Sequence, residues 1–155
     1  MGVSIQNRQR RARLGLQGLR RRAEAVLTSL QAGPDSAGVA LVGDRAMRSL
    51  NRRFRGIDET TDVLSFPCRP PQGAGGGGGA YLGDVVISVD EARRQAGEDG
   101  EALGGAVDRL LIHGLLHLKG YDHHDRRGAA RMRRQERRLG GLLDKMRGPK
   151  RPARR

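Results

Sequence analysis

The sequence predicts an α+β domain in which a small mixed sheet packs against helices. Short β-rich runs alternate with segments whose apolar residues recur at helical spacing, without the strict rhythm of a parallel α/β fold. The chain has 155 residues, enough for one domain around one core. With two Phe, two Tyr and no Trp, that core has to be built from Leu, Val, Ala and Ile.

Residues 3–9 read as a first strand. Leu14, Leu16, Leu19, Ala23, Val26, Leu27 and Leu30 then recur at helical spacing, and Gly33-Pro34-Asp35 ends that helix. Residues 38–42 form a short apolar strand. Asp44 is expected to cap a second helix through Met47, Leu50 and Phe54, which Arg55-Gly56 ends. Residues 61–66 are β-rich, with Pro67 as the expected stop. PPQGAGGGGGA, residues 70–80, has nothing to pack and is expected to be mobile over 72–79. Residues 81–88 form another strand. Ser88 and Glu91 have capping-box spacing and should start a helix running through Gln95. Residues 102–118 make the longest apolar helix, stopped by Gly120. Residues 126–146 make a basic amphipathic helix with Met132, Leu139, Leu142 and Leu143 inward. The expected organisation is one domain over 1–147 and a disordered basic tail over 148–155.

The formal charge of +13 is unevenly spread. Residues 1–22 hold seven Arg and no acid; residues 126–155 hold thirteen Lys or Arg against Glu136 and Asp144. Residues 23–125 hold ten basic and fifteen acidic residues. Basic ends on a slightly acidic body suit a polyanionic partner, most simply nucleic acid. Arg outnumbers Lys 27 to 3, so compositional drift is the competing explanation. The single cysteine, Cys68, excludes an intrachain disulfide and fits a reducing compartment. No apolar run approaches the roughly 20 residues of a membrane span, and residues 1–15 lack the apolar stretch of a signal peptide. A cytoplasmic location is expected.

All four histidines fall in IHGLLHLKGYDHHD, residues 112–125. His113 and His117 are four apart on the helix over 102–118, so their side chains share one face. Gly120 lets the chain turn, and His123 then returns toward the pair. Three neutral imidazoles with one open position describe a catalytic zinc site; structural sites are usually closed by four ligands. His124 points away from its neighbour and reads as solvent-facing. Asp122 and Asp125 are candidates to orient an imidazole, while Asp125 serves equally as the cap of the last helix. The spacing matches metzincin peptidases, but those carry Glu after the first histidine as general base. Here that residue is Gly114, which disfavours peptidase chemistry.

HGLLHLKGYDH, residues 113–123, resembles the signature of the YbeY family of bacterial rRNA-maturation endoribonucleases. LNRRFRGIDETTDVLSFP, residues 50–67, and LGDVVIS, residues 82–88, agree in order. The likeness covers about residues 3–146. It implies a zincin-like fold, one Zn²⁺ per chain on His113, His117 and His123, and hydrolysis of single-stranded RNA in small-subunit rRNA 3′ end maturation and ribosome quality control. The partners it implies are rRNA and the ribosomal particle or its proteins, with no membrane; neither likeness nor composition sets the oligomeric state. The family's functionally important arginine matches Arg55, where a guanidinium can clamp a phosphate bidentately. Taken from the residues alone, Arg55 is a solvated helix-end cation. Lys119 departs from the family's usual apolar residue. No general base stands out among Asp58, Asp122 and Asp125. The rivals are a metallopeptidase and a non-catalytic ribosome-assembly factor with a structural metal.

Overall fold

The structure, a computed structural model, describes residues 2–72 and 80–148. Of the loop expected to be mobile over 72–79 and the basic tail expected over 148–155, residues 73–79 and 149–155 lie outside the described residues, while Gln72 ends a strand, paired with Tyr81. The described chain runs β1 (Ser4–Asn7), α1 (Leu16–Ser29), β2 (Ala37–Val42), α2 (Asp44–Arg55), β3 (Val63–Gln72), β4 (Tyr81–Ser88), α3 (Val89–Asp99), α4 (Leu103–Leu118) and α5 (Arg126–Arg147). The four strands form one mixed sheet in the order β1-β2-β4-β3. The first three strands in that order are parallel, and β3 runs antiparallel along the edge beside β4. The expected α+β class is what the structure has.

Alternation along the strands splits the apolar residues between two faces. Val39, Leu41, Val85 and Ile87 join the main core with α1, α3, α4 and α5. Val42, Leu64 and Val86 form a smaller cluster with Met47 of α2 on the opposite face. The basic helix α5 buries the stripe Met132, Leu139 and Leu143, each fully shielded, and turns its Arg residues outward. Each such side chain contributes about 1.5–3 kcal/mol on burial, which outweighs the repulsion among exposed cations in water. Asp108 of α4 is 2% exposed. Arg22 of α1 donates to it at 3.0 Å and Arg147 of α5 also pairs with it, so one carboxylate ties three helices. Removing one partner of such a buried set typically costs about 3–5 kcal/mol.

Local expectations are corrected at three places. Gly43, not Asp44, is the N-cap of α2; the Asp44 carboxylate instead bridges Arg94, Ser88 and Thr60. Asp90 of α3 serves the helix start, accepting the Asp44 N–H at 2.8 Å. Pro67 does not end β3, which continues to Gln72 with a register shift after Pro67. An edge strand tolerates proline because its missing N–H is not owed to a second neighbour. Helix α3 runs past Gln95 to Asp99, since Ala96 still packs into the core. Ser88 caps α3 as expected, accepting the Glu91 N–H at 3.2 Å, but the Glu91 carboxylate pairs with Arg94 rather than closing a capping box.

Helix α4 reaches the sheet at Gly114, whose carbonyl accepts the Ser65 hydroxyl at 2.9 Å. A Cβ built there lies 2.5 Å from Val85 Cγ1 and 3.3 Å from Ser65 Oγ, closer than packed atoms stand. We therefore expect Gly114→Ala to destabilise the chain by about 1–3 kcal/mol, as overpacking does. Combining it with Val85→Ala should recover about 1 kcal/mol relative to the sum of the two single changes. Urea denaturation of the four proteins measures the coupling; strict additivity would mean that the helix shifts freely.

Candidate metal centre

Two turns of sequence set the geometry. His113 and His117 lie one turn apart near the end of α4, and their Nε2 atoms stand 3.1 Å apart. The helix stops with a paired C-terminal turn: Gly120 N–H bonds His117 C=O and Tyr121 N–H bonds Leu116 C=O, both at 3.0 Å. This is the Schellman pattern, with Gly120 at φ 94°, a conformation glycine adopts without strain. The turn returns His123 to the pair, its ring centroid 5.5 Å from that of His113 and 5.7 Å from that of His117. One ligand atom from each of the three histidines lies within 4.8 Å of the others. Nitrogens at 2.0–2.1 Å from a tetrahedral zinc sit about 3.3 Å apart, so the His113–His117 pair already fits an ion. His123 is exposed on its turn and has room to close the remaining distance. The three residues could hold a metal ion; His124, also exposed, is outside the group, with its N–H bonded to Asp122 at 3.1 Å.

The surroundings favour neutral imidazoles. Burial, followed by the charge of His117, holds His113 below the ordinary imidazole range. Burial and then His123 do the same to His117, which also hydrogen-bonds the Tyr121 backbone. Neutral rings keep the lone pairs that a metal needs. Two acids oppose this depression. Glu136 of α5 places Oε1 4.0 Å from His113 Nδ1, and the charge of Asp62, just before β3, also acts on His113. Neither acid was singled out from the sequence. Glu136 carried a signal: it is the acid that interrupts the buried stripe of the otherwise basic α5.

The three acids considered as general bases separate clearly. Asp58 is gripped by Arg48 at 3.0 and 3.2 Å, which keeps its carboxyl below the usual range and makes it a poor base. Asp125 caps α5, accepting the Gly128 N–H at 2.6 Å. Asp122 takes the His124 N–H, and its charge reaches His117. Arg55 ends α2, on the sheet face opposite α4, and is exposed; among the described residues it makes no hydrogen bond or ion pair. The position that peptidases fill with glutamate is Gly114, and Val85 leaves no room for a longer side chain there.

A pH dependence follows from the depressed imidazoles. The unfolded chain protonates His113 and His117 near the ordinary value of about 6.5, while the folded chain resists until lower pH. The unfolded state then binds more protons, so stability falls as pH drops below about 6.5 and is flat above it. Metal-free protein should show this decline in urea midpoints, and His113→Ala/His117→Ala should remove most of it. An unchanged slope in the double variant would refute the assignment.

The model of the family described as Endoribonuclease YbeY matches residues 4–143. A relative of that name from Anaeromyxobacter sp. (strain Fw109-5) is 47% identical over 136 residues, covering 88% of this chain and 69% of its own length. One from Anaeromyxobacter dehalogenans is 48% identical over 128 residues, of which the chain spans 64%. One from Geobacter metallireducens is 41% identical, with 88% and 89% covered. The solution structure of TM1509 from Thermotoga maritima superposes with a TM-score of 0.65 at 24% identity, over 91% of this chain and 88% of that one; this likeness supports the fold alone. A match over nearly the whole chain, with three histidines gathered where the family's signature falls, places the chain in the YbeY endoribonuclease family.

Proposed function

We propose that the chain is a metal-dependent, single-strand-specific endoribonuclease acting in small-subunit rRNA 3′ end maturation and ribosome quality control. The observation that carries this reading is the cluster of His113, His117 and His123, which bring one ligand atom each within 4.8 Å of the others, in a member of a family named for endoribonuclease activity. The all-nitrogen donor set favours zinc, which when bound supplies Lewis-acid activation of water and of a phosphoryl oxygen. Family membership supports placing the enzyme in the cytoplasm with the ribosomal particle; no helix among the described residues is long and apolar enough to cross a membrane.

The chain's own residues supply the rest. Glu136 orients His113 from behind. Arg55, which makes no hydrogen bond or ion pair among the described residues, offers its guanidinium fork to a phosphate and offsets charge that develops there. The outward Arg residues of α1 and α5 lie in one helical layer, where Arg138 donates to Ser29 at 2.6 Å, and they attract RNA with an affinity that falls with salt. A peptidase reading has neither a base after His113 nor space for one.

Two outcomes test the reading. His117→Ala should lose its metal by elemental analysis while keeping its helical circular dichroism, and His124→Ala should keep wild-type metal content. The reverse pattern would mean that the wrong histidine of the 123–124 pair, or the wrong cluster, has been assigned. Arg55→Lys keeps the charge but loses the planar fork, so single-turnover cleavage of single-stranded RNA at low salt should drop nearly as far as in Arg55→Ala. The expected loss is on the order of ten- to a thousand-fold, with metal content and melting temperature near wild type. Wild-type rates in Arg55→Ala would remove Arg55 from the mechanism.

A further inference from the structure

The sheet face opposite the histidine helix is only partly covered. Helix α2 shields Val42, Leu64 and Val86, but the neighbouring row Ser4, Gly38, Asp84 and Phe66, aligned across all four strands, is left open. A groove of about 440 Å³ lies over it, a volume in the range of small-molecule sites. Three of the chain's four Phe and Tyr rings line this groove: Phe54, Phe66 and Tyr81. Phe54 is 57% exposed, meets Phe66 edge-on at 5.1 Å between centroids, and carries the Arg53 guanidinium 5.4 Å from its ring centre. Arg8 stands at the other rim.

One acid sits in this setting. Asp84 is exposed, and the Tyr81 hydroxyl donates to its Oδ1 at 2.6 Å. The pair occupies space that exists because residue 38 has no side chain: a Cβ at Gly38 would lie 2.4 Å from Asp84 Oδ1 and 2.9 Å from the Tyr81 oxygen. Burial and the adjacent carboxylate hold the Tyr81 phenol well above its usual range, so it remains a donor and keeps Asp84 oriented. One carboxylate oxygen thus retains its lone pairs, and the other retains one, facing the groove.

Resting on the reading that the substrate is RNA, we propose that this groove is a nucleobase subsite for single-stranded RNA, with the exposed Phe54 ring stacking the base, Phe66 bracing that ring edge-on, and Asp84 selecting guanine. The rim supplies cations for the phosphates and the rings supply stacking surface. The carboxylate discriminates by donor count. Guanine presents two adjacent N–H donors, at N1 and N2, on its Watson–Crick edge. Adenine and cytosine set a ring acceptor beside their one amino group, and uracil flanks its single N–H with two carbonyls. An apolar partner protein would gain nothing from a lone carboxylate in the groove floor. The path to the histidines is short in topology: on edge strand β3, Ser65 touches Gly114 of α4 while Phe66, the next residue, faces the groove. A strand passing around this edge reaches both sites.

The test uses full-length protein and fluorescent seven-nucleotide RNAs: oligouridine, and the same sequence with one central guanine or one central adenine. Binding is measured by anisotropy with chelator present, so that nothing is cut, and cleavage of the same RNAs is followed in parallel with zinc. One guanine should tighten binding by about tenfold and adenine by much less. Asp84→Asn should remove the guanine gain and leave oligouridine affinity within about twofold. Phe54→Ala should weaken all three RNAs by on the order of tenfold with an unchanged melting temperature. No guanine gain in the wild type, or a gain that survives Asp84→Asn, overturns the proposal. Unaltered RNA binding in both variants together with lost association with ribosomal subunits overturns it in favour of a protein partner. Cleavage without a guanine gain sinks the groove alone; a guanine gain without cleavage sinks the nuclease reading and leaves the groove standing.

Discussion

The close seating of α4 against the sheet is the constraint on which the other features depend. Helix α4 is apolar on nearly every side, with Leu111, Leu115 and Leu116 fully buried, and it touches α1, α3, α5 and the strands β3 and β4. A helix surrounded in this way has one rotation available to it. Gly114 and Val85 set that rotation by letting helix backbone meet sheet side chain, and Ser65 locks it with a hydrogen bond. His113 and His117, which precede and follow that contact, are then directed to the remaining half-open side. The Asp108 pairs with Arg22 and Arg147 hold the same helix to its neighbours with charge rather than with apolar area.

Electrostatic placement resolves what a +13 chain would otherwise make unfavourable. Apart from Arg147, which pairs with Asp108, the basic residues of α5 face water, where repulsion is screened. Four carboxylates are placed where each has a defined partner: Asp125 on a helix start, Asp58 on Arg48, Asp44 on Arg94, Glu136 behind His113. Burial and mutual proximity hold the His113 and His117 imidazoles below their ordinary range, while the charges of Glu136 and Asp62 act on His113 in the opposite sense. Neutral donors with carboxylates behind them are what a cation site requires, and a peptidase base at position 114 is excluded by packing alone.

The edge strand β3 contributes side chains to both faces of the sheet. Its alternate residues serve opposite layers, Ser65 toward the histidine helix and Phe66 toward the aromatic groove. Arg55 and Phe54 close α2 on the groove side, so the arginine and the histidines come from opposite layers of one sheet. A single-stranded substrate has the flexibility to contact both layers across one edge; a duplex, being stiff and wide, does not.

Much of the fold and of the site was legible in the sequence. Spacing of apolar residues located α1, α2, α4 and α5, and the Ser88–Glu91 capping pattern located α3, because a 3.6-residue period and a helix cap are local properties. His113, His117 and the Gly120 turn were readable for the same reason: helix register and a left-handed glycine depend on a few neighbours. Partners distant in sequence were not readable. Glu136 behind His113, Asp90 at the start of α2, and Asp108 between Arg22 and Arg147 bring together residues from 23 to 86 positions apart. Asp44 looked like a cap because local chemistry allowed it, and a long-range carboxylate took part of that role. Pro67 looked like a stop because local sequence cannot say that its strand is an edge. Only the strand order put Phe66 and Tyr81 on one open face beside Phe54. The local sequence determined which residues form elements and which of them could hold a metal ion. The tertiary structure decided which charges, rings and empty spaces meet, since those contacts depend on how the elements pack and not on any one segment.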